Sequence, residues 1–164
     1  METSDRIAVD GPPAFSSLHH IAVPCRDLQE GICFYRDVLG GEQLVEESAF
    51  ALFAIAGTWI GISTEGATRM SPETEYPHFA FLVDADQLVQ MKAWLGRCDV
   101  PSSNLWTRNG VETLMFFRDP TGNVIELFCP EGYDGADDLP RGPARGHGVA
   151  IDIDALAYSD WKRP

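Results

Sequence analysis

The chain repeats itself, and that repeat narrows its fold more than any other feature does. Residues 18–64 and 77–129 each read as a strand, a helix and three short strands. The first copy opens on Leu18-His19-His20-Ile21-Ala22-Val23, a run of strand composition. Asp27 is placed to cap a helix striped by Leu28, Ile32, Tyr35 and Leu39, and Gly40-Gly41 supplies its stop. Strands over 43–46, 49–55 and 58–63 follow, the last two joined by a turn at Ala56-Gly57. The second copy opens on Pro77-His78-Phe79-Ala80-Phe81-Leu82-Val83. Asp84 or Asp86 caps a helix with a buried stripe of Leu88, Met91, Leu95 and Cys98, ending near Asp99. Strands near 104–107, 112–118 and 123–129 complete it, with Asp119-Pro120-Thr121-Gly122-Asn123 as the tight turn between the last two. The pattern predicts an α+β fold of two βαβββ modules, with mixed sheets and one helix against the outer face of each.

Outside the repeat the sequence is less regular. Residues 1–17 begin with Glu2 and Asp5, lack the apolar core of a signal peptide and read as a flexible lead-in. The linker over 65–76 is polar and contains Pro72. Pro130, Gly132, Gly135, Pro140, Gly142, Pro143, Gly146 and Gly148 argue against regular structure after the repeat. The domain is therefore expected over 18–130, with an irregular tail over 131–164 whose apolar run 149–158 docks as a strand or a helix. A net charge of −13 argues against nucleic acid and anionic membranes as partners, because both call for a clustered positive surface. No stretch approaches the roughly 20 apolar residues that span a bilayer. Cys25, Cys33, Cys98 and Cys129 form no C-x-x-C pair and, with no export signal, are expected to be reduced, structural thiols in a cytoplasmic protein.

Three side chains stand out against this scaffold. His20 shares a strand face with Leu18 and Ala22, His78 with Ala80 and Leu82, and Glu126 with Val124 and Phe128. Glu126 sits inside the apolar run Val124-Ile125-Glu126-Leu127-Phe128, where a carboxylate is costly to bury without a positive partner. A divalent cation bound to two imidazoles is such a partner. The residues alone leave open a pairing of Glu126 with Arg118 or Arg108 across a hairpin instead. Alternation puts His19 on the opposite face, so replacing it, or Arg118, is expected to leave metal content unchanged.

Two longer strings carry a resemblance. His20-Ile21-Ala22-Val23 with Phe34-Tyr35-Arg36-Asp37-Val38-Leu39-Gly40, and Phe117-Arg118-Asp119-Pro120-Thr121-Gly122-Asn123-Val124-Ile125-Glu126-Leu127, resemble the vicinal oxygen chelate superfamily over about residues 18–130. That group includes glyoxalases, bleomycin-resistance proteins, extradiol dioxygenases and fosfomycin-resistance transferases. The resemblance implies paired βαβββ modules curled around a metal site, with His20, His78 and Glu126 as ligands. It also implies a homodimer, the site lying within one chain or shared between two.

The chemistry is narrowed by what the motifs lack. Thr58-Trp59-Ile60-Gly61-Ile62-Ser63 holds no Glu, Gln or His at its centre, so the four-ligand isomerase pattern is absent. Two histidines and one carboxylate leave positions open, which suits Fe(II) with O₂, while Mn(II) or Zn(II) would serve as a Lewis acid. The first expectation is thus a non-haem Fe(II) dioxygenase acting on a small oxygenated molecule. It lacks that family's histidine before the D-P dipeptide and has Phe116 for its tyrosine, leaving His147 and His19 as the acid–base candidates. The alternative is a thiol transferase of the fosfomycin-resistance type, suggested by Trp106-Thr107-Arg108-Asn109. There Thr107 replaces the phosphonate-binding lysine, and the serine-rich loop before Phe116 is missing. The third reading is a bleomycin-resistance-like protein that sequesters a ligand without chemistry. Trp106, Arg108, Asn109, Phe116 and Phe128 are the candidate substrate contacts throughout.

Overall fold

A computed structural model describes residues 17–65, 77–142 and 151–164. The first module holds β1 (His20–Pro24), α1 (Leu28–Cys33), β2 (Glu42–Glu46), β3 (Phe50–Ile55) and β4 (Thr58–Ser63). Asp27 caps α1 by accepting from Glu30 N, and the helix continues into a π-helical turn over Phe34–Val38. Gly40 then takes φ +69°, the left-handed stop that the Gly-Gly pair anticipates. The strands form one mixed sheet in the order β1-β4-β3-β2, with β1 parallel to β4.

The second module holds β5 (His78–Leu82), α2 (Ala85–Arg97), β6 (Thr113–Arg118) and β7 (Val124–Cys129). Asp84, not Asp86, caps α2, in a reciprocal box with Gln87. The sheet order is β5-β7-β6, with β5 parallel to β7. The strand expected near 104–107 is absent; single bridges link Ser102 to Phe117 and Trp106 to Leu114 instead. The reason is local. Phe116 N–H donates to the Ser103 hydroxyl at 2.9 Å, so a side chain takes the place of the next carbonyl in the ladder.

Each sheet has two unlike faces. Ala51, Phe53, Ile60 and Ile62 of the first sheet and Met115, Phe117, Ile125 and Leu127 of the second share a single core with Ile32, Phe34, Tyr35, Leu88 and Leu95 from the helical segments. The opposite face of the first sheet carries His20, Ala22, Trp59 and Leu52, by the register of β1, β4 and β3. Among the described residues no helix packs there, and Trp59 is 40% exposed. On the corresponding face of the second sheet, Leu82 is 73% exposed. Cys25, Cys98 and Cys129 are free and buried. Burial, with the Asp119 charge second, pushes the Cys25 thiol up to about 11, and burial raises the other two. Cys33 is free and partly exposed.

The described part of the tail, 131–142 and 151–164, docks without a regular helix or a named strand; it makes short 3-10 turns at Ala136–Asp138 and Asp154–Leu156. Ile153 and Leu156 pack on Trp106, Leu114, Phe116 and Val124. The chain then crosses to the first module, where the Trp161 ring meets Phe34 at 5.7 Å and its Nε1 donates to Glu30. Among the described residues no helix is long and apolar enough to cross a membrane.

Candidate metal centre

The parallel register of β5 and β7 sets Ala80 opposite Glu126 and His78 opposite Val124. His78 therefore lies one step along from Glu126 on the same face, and the two side chains meet with Nε2 2.9 Å from Oε2. On the other side Phe116 is opposite Glu126. Its ring meets that of His78 and that of Trp106, each with centroids 5.4 Å apart. The carboxylate is thus held in an aromatic setting and is only 3% exposed.

Glu126 is only half satisfied there. Its Oε1 is buried with no hydrogen-bond partner. The Arg108 guanidinium stands 3.6 Å from that oxygen, close enough to feel its charge but too far for a hydrogen bond. A buried carboxylate oxygen in this state is costly, and a divalent cation relieves it. Imidazole with carboxylate is a donor set for Mn, Fe or Zn, so the residues fit a divalent ion.

His20 stands apart from this pair, exposed in the first sheet and opposite Trp59. Among the described residues no three His, Cys, Asp or Glu side chains lie close enough to hold a metal. One chain thus presents the expected ligand set as two halves. His19 departs from its expected place off the site face. It precedes β1, where strand alternation does not yet apply, and its Nδ1 lies 3.1 Å from that of His20.

The remaining candidates divide. Arg108 stacks over Trp106, 4.9 Å from the ring centroid, and this holds its charge beside Glu126. Arg118 is buried and donates to the carbonyls of Ile153 and Gly122, so it ties the tail to the Asp119 turn. Phe128 packs at the edge of the Trp106–Phe116 cluster. Asn109 serves the loop: its N–H and its side-chain amide both donate to Glu112. His147 lies outside the described residues.

Sequence reasoning passed over Glu112, which is buried and also accepts the Arg108 N–H at 2.7 Å. Burial pushes its carboxyl up, but its own backbone N–H and those of Arg108 and Asn109, with the Asn109 amide, outweigh this and the net shift is downward. Glu112 thereby shapes the turn that presents Arg108. The only sequence signal for it was a carboxylate two residues beyond an Asn-Gly pair.

The comparisons with known proteins agree with this scaffold. A model of the Glyoxalase/Bleomycin resistance protein/Dioxygenase superfamily matches residues 17–127. Metallothiol transferase FosB of Staphylococcus epidermidis is 32% identical over 114 residues, which is 68% of this chain and 80% of that protein. Glutathione transferase FosA of Serratia marcescens is 28% identical over 114 residues, 68% of this chain and 79% of that one. The crystal structure of the fosfomycin resistance protein FosX of Listeria monocytogenes superposes with a TM-score of 0.63 at 25% identity, covering 76% of this chain and 99% of that chain. A lactoylglutathione lyase of Agrobacterium tumefaciens shares the fold, with a TM-score of 0.59 at 21% identity over 72% of this chain and 95% of its own.

Proposed function

The chain belongs to the Glyoxalase/Bleomycin resistance protein/Dioxygenase superfamily, and from that premise we propose that it is a metal-dependent transferase joining a low-molecular-weight thiol to a small, anionic, oxygenated electrophile of the fosfomycin type. The observation that carries this reading is the half-satisfied His78–Glu126 pair with Arg108 beside it. The names of the relatives favour thiol transfer over the ring-cleaving oxygen chemistry and the Fe(II) expected first from the ligand count. Phe116 and Trp106, the aromatic neighbours of the pair, also offer no acid–base group suited to a catechol.

The two half-sites call for a homodimer. His20 of one copy completes the His78–Glu126 pair of its partner when the exposed face of the first sheet seats on the His78–Leu82 edge of the second, beside the tail residues packed on Phe116 and Trp106. Exposed Trp59 and Leu82 lie on those faces and become buried in such an assembly. His20, His78 and Glu126 would hold a divalent ion, which would supply Lewis-acid chemistry when bound. Arg108 binds the anionic end of the substrate, taking the part of the lysine that Thr107 replaces. Trp106 and Phe116 wall the site and exclude water. The thiol sulfur bonds to an epoxide carbon as that carbon's C–O bond breaks, and the thiol proton ends on the released oxygen.

Fosfomycin incubated with Mn(II) and glutathione or L-cysteine is expected to give a thiol adduct, read by phosphorus NMR. No adduct with either thiol, together with Fe(II)-dependent O₂ uptake on catechols, would restore the dioxygenase reading. Arg108→Ala is expected to lower kcat/KM by roughly 10–100-fold, the worth of one charge-assisted hydrogen bond. Chain sharing is tested by mixing. His20→Ala and Glu126→Ala proteins bind no Mn(II) alone, but after joint refolding a shared site restores about a quarter of full binding, because half the dimers are mixed and each has one intact site. Zero recovery would place all three ligands in one chain.

A further inference from the structure

We infer that His19 is a positioning residue that accepts a hydrogen bond from His20 and so fixes the tautomer in which His20 is able to bind a metal through Nε2. The inference rests on the proposed metal reading for its purpose, although the contact itself is a property of the metal-free chain.

The two Nδ1 atoms are 3.1 Å apart, so one ring must donate and the other accept. If His19 donated, the His20 Nδ1 lone pair would be occupied and its proton would sit on Nε2. Neither nitrogen would then be free for a ligand. If His20 donates from Nδ1, its Nε2 keeps a bare lone pair. Only the second arrangement is compatible with a ligand role, and it makes His19 the acceptor. This is the service that a carboxylate or a backbone carbonyl often renders to a metal-binding imidazole.

His19 is held in place for the task. Its carbonyl accepts from Trp59 N–H at 3.2 Å and from the Thr58 hydroxyl at 3.1 Å. Its ring packs against the Trp59 indole with centroids 4.5 Å apart. These contacts come from β4, the strand paired with β1, so the acceptor is anchored by the same sheet that carries His20. Its place just ahead of β1 lets two consecutive residues turn their rings together, which alternation forbids inside a strand.

The test compares the parent with His19→Asn and His19→Phe. Asn keeps an acceptor near the position of Nδ1, whereas Phe keeps the packing on Trp59 and removes the acceptor. Long-range proton–nitrogen NMR of the metal-free proteins, at a pH where imidazole is neutral, reads the tautomer directly. His20 is expected as Nδ1–H in the parent and in His19→Asn, and as a mixture or as Nε2–H in His19→Phe. Mn(II) titration followed by electron paramagnetic resonance should show affinity falling roughly 10–100-fold in His19→Phe and returning to within a few-fold in His19→Asn. An Nε2–H tautomer of His20 in the parent overturns the inference, as does a tautomer unchanged by His19→Phe. Unweakened Mn(II) binding by His19→Phe overturns it as well. A parent that takes up no Mn(II) sinks the metal reading instead, and the NMR comparison still decides whether His19 sets the tautomer.

Discussion

The Glu126→Ala protein is expected to lose its affinity for Mn(II) while keeping its fold. Glu126 is the one anionic ligand of the proposed set, and its buried Oε1, which has no hydrogen-bond partner, is a local demand for a cation. Loss of a mere supporting partner costs a metal site roughly 10–100-fold, so loss of the carboxylate itself should exceed about 100-fold. The effect on stability is a balance. Ala removes a buried charge but leaves a cavity and removes the carboxylate's contact with His78. The apolar neighbours on β7 keep the strand in place, so the net change is expected within about 2 kcal/mol. A Mn(II) titration and a thermal melt on the same sample separate the two effects. Should the variant still purify with a full equivalent of Mn, Fe or Zn, the ligand assignment is wrong. Should the parent also stay metal-free after Mn(II) and Fe(II) reconstitution, a sequestering protein becomes the better reading.

The fold was legible because its strands alternate and its helices carry their own punctuation. Ala51 and Phe53 face the core while Leu52 does not, and Asp27 and Asp84 mark the helix starts by accepting the N–H three residues on. The missing strand near 104–107 was not legible, because its residues have strand composition and only the tertiary contact shows the Ser103 hydroxyl capturing Phe116 N–H. Nor was the path of the tail. Trp161 gives no local sign that it will reach Glu30, 131 residues earlier. In the site, the meeting of His78 with Glu126 followed from register on one sheet. The separation of His20 did not, since periodicity assigns a face within a strand but says nothing about which sheets oppose one another. Arg108 gained its place from Trp106 and Glu112, contacts made by a loop that has no period to read.

The strings that identified the family turn out to hold the modules together, and this sets the second large effect. Asp119 of the D-P-x-G-N turn accepts from the hydroxyl of Tyr35, which belongs to the F-Y-x-D-x-L-G string of the other module, at 3.0 Å. Its Oδ1 also accepts the N–H groups of Thr121, Gly122 and Asn123, each at 2.9 Å, and its Oδ2 the Asn123 amide at 2.6 Å. Asn123 reaches back to the Pro24 carbonyl at the end of β1, and Arg26 donates to Thr121 and Pro120. Burial pushes the Asp119 carboxyl up, while the bonds from Asn123, Tyr35 and Gly122 pull against that rise. Asp119→Ala would remove five hydrogen bonds and leave three donors, the Tyr35 hydroxyl and the N–H groups of Thr121 and Asn123, without that acceptor, while the Gly122 N–H keeps the Asp119 carbonyl and the Asn123 amide keeps that of Pro24. Each such donor costs about 1–3 kcal/mol, and water entering the vacated space recovers part of the sum. The expected loss is about 3–5 kcal/mol in urea unfolding of the metal-free protein. Tyr35→Phe should cost only about 1 kcal/mol, because it removes a single hydroxyl and leaves the turn intact. Made on top of Asp119→Ala, the same change should cost close to nothing, since its partner is already gone. If the two losses simply add, or if Asp119→Ala unfolds within 1 kcal/mol of the parent, the turn does not bind the modules together and the shared core and the tail must do so.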